Sequence, residues 1–163
     1  MNTKRIARYG LLIALALILS YVESLLPVFV AVPGVKMGLP NIVILFALYT
    51  LGVKDAAVIS LIRVVLAGAL FGSVFSMLYS AAGAVLSLAV MAVLMKTKRF
   101  SPVGVSVAGG VAHNAGQIIV AILVTETAQI IFYLPVLCIS GIAAGVLIGV
   151  AGGMIIERLK RED

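Results

Sequence analysis

The sequence predicts an all-α, polytopic membrane protein of six transmembrane helices, and three observations carry that reading. Its residues are 63% apolar and only 11% charged, with a mean hydropathy of +1.27, whereas a soluble domain is roughly 25% charged. The apolar residues gather into runs near the length of about 20 that a bilayer crossing takes. The basic residues cluster at alternate junctions between those runs, as the positive-inside rule requires. So oily a chain cannot hide its surface around a water-excluded centre. Burial has to come from lipid and from neighbouring helices, within one membrane domain over residues 1–163.

The first run, Ala7 to Leu26, follows a basic start, Lys4-Arg5-Ile6-Ala7-Arg8. This resembles a signal peptide, but Glu23, Pro27 and Pro33 follow in place of a small-residue cleavage site, so it reads as a retained helix. The second and third runs, Gly38 to Val53 and Asp55 to Phe71, are short and meet at the turn Gly52-Val53-Lys54-Asp55. Merging them would give five spans. Val74 to Met95, Val103 to Val124 and Gln129 to Ile156 complete the set.

Charge placement provides an independent check. Six spans put Lys4, Arg5, Arg8, Lys54, Lys96, Lys98, Arg99, Arg158, Lys160 and Arg161 on one face, ten of the twelve basic residues. That face is the cytoplasm, with both termini on it, and the membrane is the cell membrane. Lys36 falls outside and Arg63 falls within a span. The net charge of +6 and pI near 9.8 therefore describe topology, and no nucleic-acid surface is expected. The single Cys138 rules out an intrachain disulfide or zinc knuckle and reads as packing.

Outside, the connection from Pro27 to Met37 is apolar yet punctuated by proline and glycine, so it should be irregular and fold back as a lid. Gly72-Ser73 and Thr125-Glu126-Thr127 form the other two outer turns. No internal repeat is visible, which weakens an inverted-repeat transporter reading. In the last span Gly141, Gly145, Gly149 and Gly153 recur every fourth residue, a row that lets helix backbones approach closely in lipid. It serves either packing within the bundle or docking of a partner helix. Gly10 and Ala14 of the first span, and Ser76, Ser80 and Ala84 of the fourth, repeat the theme more weakly.

Polar residues at membrane depth mark the candidate site. Arg63 lies eight residues from either end of its span, where insertion scales put arginine at about 2.5 to 3.5 kcal/mol, so it should face protein or water. His113, Asn114 and Gln117 lie half-way along the fifth span, with Gln117 three and four residues beyond the other two. They form either a buried hydrogen-bond network or a ligand cavity that opens outward. Lys36 and the helix start at Pro40-Asn41 would lie over such a cavity, Asn41 helping to cap the helix and its positive end facing the ligand. These groups favour an anionic or carbonyl-rich small molecule. Glu23, Tyr79, Glu126 and Tyr133 near the outer face read either as rim groups of the cavity or as interfacial anchors or solvated residues.

The segments Val32-Pro33-Gly34-Val35-Lys36-Met37-Gly38-Leu39-Pro40-Asn41, Arg63-Val64-Val65-Leu66-Ala67-Gly68-Ala69-Leu70-Phe71-Gly72 and Val111-Ala112-His113-Asn114-Ala115-Gly116-Gln117 together resemble the bacterial Gx transporter family, also labelled heptaprenyl diphosphate synthase component I. The family is similar in size and helix count to the substrate-binding S components of energy-coupling factor (ECF) transporters. That resemblance implies a six-helix bundle that captures a small molecule from outside, with a membrane coupling subunit and cytoplasmic ATPases as partners. S components dock through small residues of the first helix, where Gly10 and Ala14 stand here. The second label implies a different role, a non-catalytic membrane partner of a soluble prenyl diphosphate synthase.

Catalysis by this chain is not expected. Chain-elongating prenyl synthases hold magnesium on two aspartate-rich clusters, and this sequence has only Asp55 and Asp163, far apart. It shows no HExxH, GxSxG or paired carboxylates, and one histidine cannot build a histidine-rich metal site. No Walker lysine motif is present either, so no metal or nucleotide cofactor is expected and ATP-driven movement would need another chain. Two functions remain, a substrate-binding transport component and a membrane partner in isoprenoid synthesis.

Overall fold

The computed structural model describes residues 3–25 and 37–160. The expected lid, with Lys36, and the last basic residue, Arg161, lie outside the described residues. Six α-helices follow one another: α1 Thr3–Leu25, α2 Asn41–Thr50, α3 Val53–Phe71, α4 Val74–Thr97, α5 Pro102–Thr125 and α6 Leu134–Lys160. A 3-10 turn at Ala128–Tyr133 leads into α6.

Local chemistry sets the ends of these helices. Ser73 caps α4 in a reciprocal box with Ser76, and the Ser101 hydroxyl accepts from the Gly104 N–H at 3.2 Å with Pro102 opening α5. Left-handed residues stop the chain at Lys98 (φ 57°) and Glu126 (φ 53°), and Gly52 (φ 96°) turns it between α2 and α3.

Of the six α-helices among the described residues, four are long and apolar enough to cross a membrane. These are α1, α4, α5 and the continuous stretch Ala128–Leu159. With 10 residues, α2 is about 15 Å long, half the hydrocarbon thickness of about 30 Å. The 19 residues of α3 are long enough but include Lys54, Asp55 and Arg63. Short as it is, α2 is the centre of the core. Val43, Ile44, Leu45, Ala47 and Leu48 are buried on every side of it among α1, α3 and α6, as befits a helix that is apolar all round.

The direction of the helices follows from two contacts between α1 and α3. Arg5 Nη2 pairs with Asp55 Oδ1 at 2.6 Å at one end, and the rings of Tyr21 and Phe71 lie 5.1 Å apart at the other. These helices run parallel, α2 returns between them in sequence, and short turns reverse the chain into α4, α5 and α6. The described basic residues Lys54, Lys96, Lys98, Arg99 and Arg158 thus share the Arg5 end of the bundle. Leu11, Val85, Leu123 and Phe132 face outward, which suits hydrocarbon.

The glycine row of α6 is covered by α5, which favours packing within the bundle over docking of a partner among its two readings. A Cβ at Gly145 would lie 2.6 Å from Val107 Cα, and one at Gly149 would lie 2.6 Å from Val103 Cα. Gly141 meets Gly110 in the same seam, and Gly153 is buried beside Pro102. The absence of side chains lets the two backbones touch. In α1, by contrast, Gly10 and Ala14 are exposed, with nothing within 4 Å of a Cβ at Gly10.

Candidate functional site

A cavity of about 350 Å³ runs from the end opposite the basic residues down into the bundle, at the small end of ligand pockets, which span about 300–1,000 Å³. Ser20, Glu23, Gly38 and Ser76 line its outer part, and Ser87, Met91 and Ser106 line its floor. Arg63 and His113 are in its wall at middle depth. Every described helix contributes, because α2 is too short to fill the space between α1, α3 and α6 along its full height.

Arg63 is 8% exposed. Its Nη2 donates to Asn41 Oδ1 at 3.4 Å, a long contact, and its Nε has no hydrogen-bond partner among the described residues. A buried guanidinium with five donors needs acceptors around it. Glu23 provides the opposite charge in the same cavity and accepts a hydrogen bond from the Gly38 N–H.

Of the residues singled out in the sequence, Arg63, His113, Asn114 and Asn41 all line the cavity. Asn41 does so in another role than expected. It makes no cap, since Pro40 holds that position with no side-chain bond, and its amide oxygen turns to Arg63. Nor is the positive end of α2 open to a ligand. The N–H groups of Asn41, Ile42 and Val43 donate to the carbonyls of Gly38, Leu39 and Pro40 at 2.8 to 3.1 Å. Asn114 commits its Nδ2 to the Leu137 carbonyl of α6, an acceptor shared with Ser140 Oγ, so it clasps two helices as well as facing the cavity.

His113 is seated by Gly83 of α4. A Cβ there would lie 2.8 Å from the His113 carbonyl oxygen and 2.9 Å from its Nε2. Only glycine lets α4 pass so near the ring. One turn further along α5 a Cβ at Gly116 would meet the Ala82 carbonyl oxygen at 2.8 Å. The two helices are in backbone contact there, and Gln117 lies outside the cavity lining.

Glu23, read either as a rim group or as an interfacial anchor, lines the outer part of the cavity. The serines Ser20, Ser24, Ser76, Ser80, Ser87 and Ser106 all face the cavity, although Ser76 and Ser80 read as packing residues. Their signal is spacing: Ser20 and Ser24, Ser76 and Ser80, and Ser80 and Ser87 stand four or seven residues apart, on one face of otherwise aliphatic helices.

The family model described as heptaprenyl diphosphate synthase component I matches residues 12–155. The match takes in every residue of the cavity wall. No curated protein and no solved structure matches the chain.

Proposed function

The chain belongs to the heptaprenyl diphosphate synthase component I family, and from that premise we propose that it is the non-catalytic membrane partner of a prenyl diphosphate synthase, holding the polar end of an isoprenoid in the cavity around Arg63. The observation that carries this reading is Arg63 itself, a buried guanidinium with an unused Nε in the wall of a polar cavity, inside an apolar helical bundle. Guanidinium and serine hydroxyls suit a phosphorylated head. The bond-making chemistry remains with the soluble partner, since two distant aspartates cannot assemble its magnesium site.

The arrangement in the membrane belongs to the same proposal. One domain crosses the cell membrane six times, α2 and α3 included, with both termini in the cytoplasm. Burial of α2 within the bundle and the gathering of basic residues at the Arg5 end support it. Purification of the detergent-solubilised chain together with the prenyl diphosphate synthase tests the partnership. A complex retained through size exclusion is expected, and a chain that elutes alone at every ratio of the two would sink it.

A second reading has one observation in its favour. The cavity reaches the end of the bundle opposite the basic residues, as a site loaded from outside would. On that reading the chain captures a small molecule for an ECF-type coupling subunit with cytoplasmic ATPases, docked on the exposed Gly10 and Ala14 face of α1. Recovery with ATPases in place of a synthase would decide for it.

A further inference from the structure

Beside the inner part of the polar cavity, α3 and α4 part. They touch at Gly68, where a Cβ would lie 2.8 Å from Met77 Cβ. Ser60 lies eight residues nearer the basic end, about 12 Å along the axis. There a groove of about 140 Å³ separates the two helices. Ala57 and Ser60 of α3 face Ala81 and Ala84 of α4 across it. Small residues on facing helices normally bring backbones together in a membrane. Here they face a gap, and α4 packs far more closely on α5 than on α3.

One residue borders both the groove and the cavity. Val64, 2% exposed, lines both spaces, and it follows Arg63 in sequence. At the outer margin of the groove Leu61 and Val85 are 56% and 66% exposed, where hydrocarbon would cover them. A dry space of about 150 Å³ with aliphatic walls takes up a benzene-sized apolar group, so the groove has room for about one isoprene unit before the chain enters lipid.

We propose that the cavity and the α3–α4 groove are two compartments of one site for a single-chain prenyl phosphate, its head at Arg63 and its tail passing Val64 into the groove and out to the bilayer. This rests on the reading of the cavity as an isoprenoid site and adds the route of the tail.

The test uses the full chain in nanodiscs with two radiolabelled probes, farnesyl diphosphate and inorganic pyrophosphate, and the substitution Ala84→Leu to fill the groove. Wild-type protein should bind both. Ala84→Leu should weaken farnesyl diphosphate by about tenfold or more, the worth of a few buried methylenes, and leave pyrophosphate unchanged. A diazirine at the tail end of the prenyl probe should crosslink the wild-type chain near Leu61 and Val85. That map decides the matter if the variant fails to fold. Equal loss of both probes, no loss of either, or crosslinks confined to other helices would overturn the tail route while the head site stands. Failure of the wild type to bind either probe would overturn the isoprenoid reading of the cavity as well.

Discussion

The Nη2 of Arg63 in α3 donates to the Oδ1 of Asn41 at the first turn of α2, across 3.4 Å. This contact ties the shortest α-helix to the one charged side chain of α3 that lies at middle depth, and the Nε of the same guanidinium is buried with no hydrogen-bond partner among the described residues. The polar interior of the bundle is organised by that pair, with Glu23 providing a counter-charge from α1.

Replacing Arg63 should separate binding from folding. Arg63→Met combined with Glu23→Gln removes the buried cation and its counter-charge together, an exchange that is often neutral or stabilising by about 1–4 kcal/mol. Thermal unfolding in detergent should therefore show no loss. Pyrophosphate binding should fall by about tenfold or more, the worth of a charged hydrogen bond of about 1.5–3 kcal/mol. Arg63→Lys should lie between, keeping the charge but losing the planar fork. A variant with a lowered unfolding midpoint that still binds pyrophosphate as wild type would mean that Arg63 serves only the fold.

Two glycines should respond in opposite ways to alanine. At Gly145 the added Cβ lies 2.6 Å from Val107 Cα, so α5 and α6 must separate, at a cost of about 1–3 kcal/mol for overpacking. At Gly10 a Cβ meets nothing within 4 Å, and stability should stay within about 0.5 kcal/mol. Steric-trap or detergent unfolding of both variants measures the difference. Should Gly10→Ala keep its stability but lose a co-purifying membrane partner, the exposed α1 face is the docking surface.

The clasp between α5 and α6 can be read by comparing two substitutions at Asn114. Asn114→Leu removes the donor to the Leu137 carbonyl, which keeps its bond from Ser140 Oγ at 2.9 Å, so the loss should be about 0.5–1.5 kcal/mol. Asn114→Asp sets a carboxylate against that carbonyl in a buried seam and should cost more. Equal unfolding midpoints for the two would show that the amide contact contributes nothing.

The helices were legible because lipid imposes a simple rule: each apolar run must satisfy its own backbone, and the ends of α3, α4 and α5 fall within about two residues of the expected positions, the usual scatter of helix ends. Arg63, His113 and Asn114 were legible for the same reason, as costly groups that had to face inward. What spacing did not reveal depends on which helix faces which. Gln117 shares a face with His113, but α4 closes on α5 at Gly116 before the cavity reaches it. The glycine row of α6 marks a close approach in sequence, and only the seam with Val103 and Val107 shows that α5 makes it. Serines are ordinary in membrane helices, so the spacing of the six that line the cavity gained meaning only once α1, α4 and α5 set them around one space.

The crossing of α2 and α3 is open to direct test, since neither helix has the length and apolarity of an independent span. Asp55 accepts from Arg5 at 2.6 Å, which places the α2–α3 turn at the same end of the bundle as the start of α1. Single cysteines at Lys54, Ser73, Lys98 and Glu126, in a Cys138→Ser background, should then divide into two pairs. In intact cells an impermeant maleimide should label positions 73 and 126 and spare 54 and 98, which should react only after the membrane is opened. The pattern follows from full crossings by α2 and α3 and from the alternation of basic junctions. If positions 54 and 73 react together from outside, α3 does not cross, the Arg5–Asp55 pair cannot sit at the cytoplasmic end, and the direction assigned to the cavity is reversed with it.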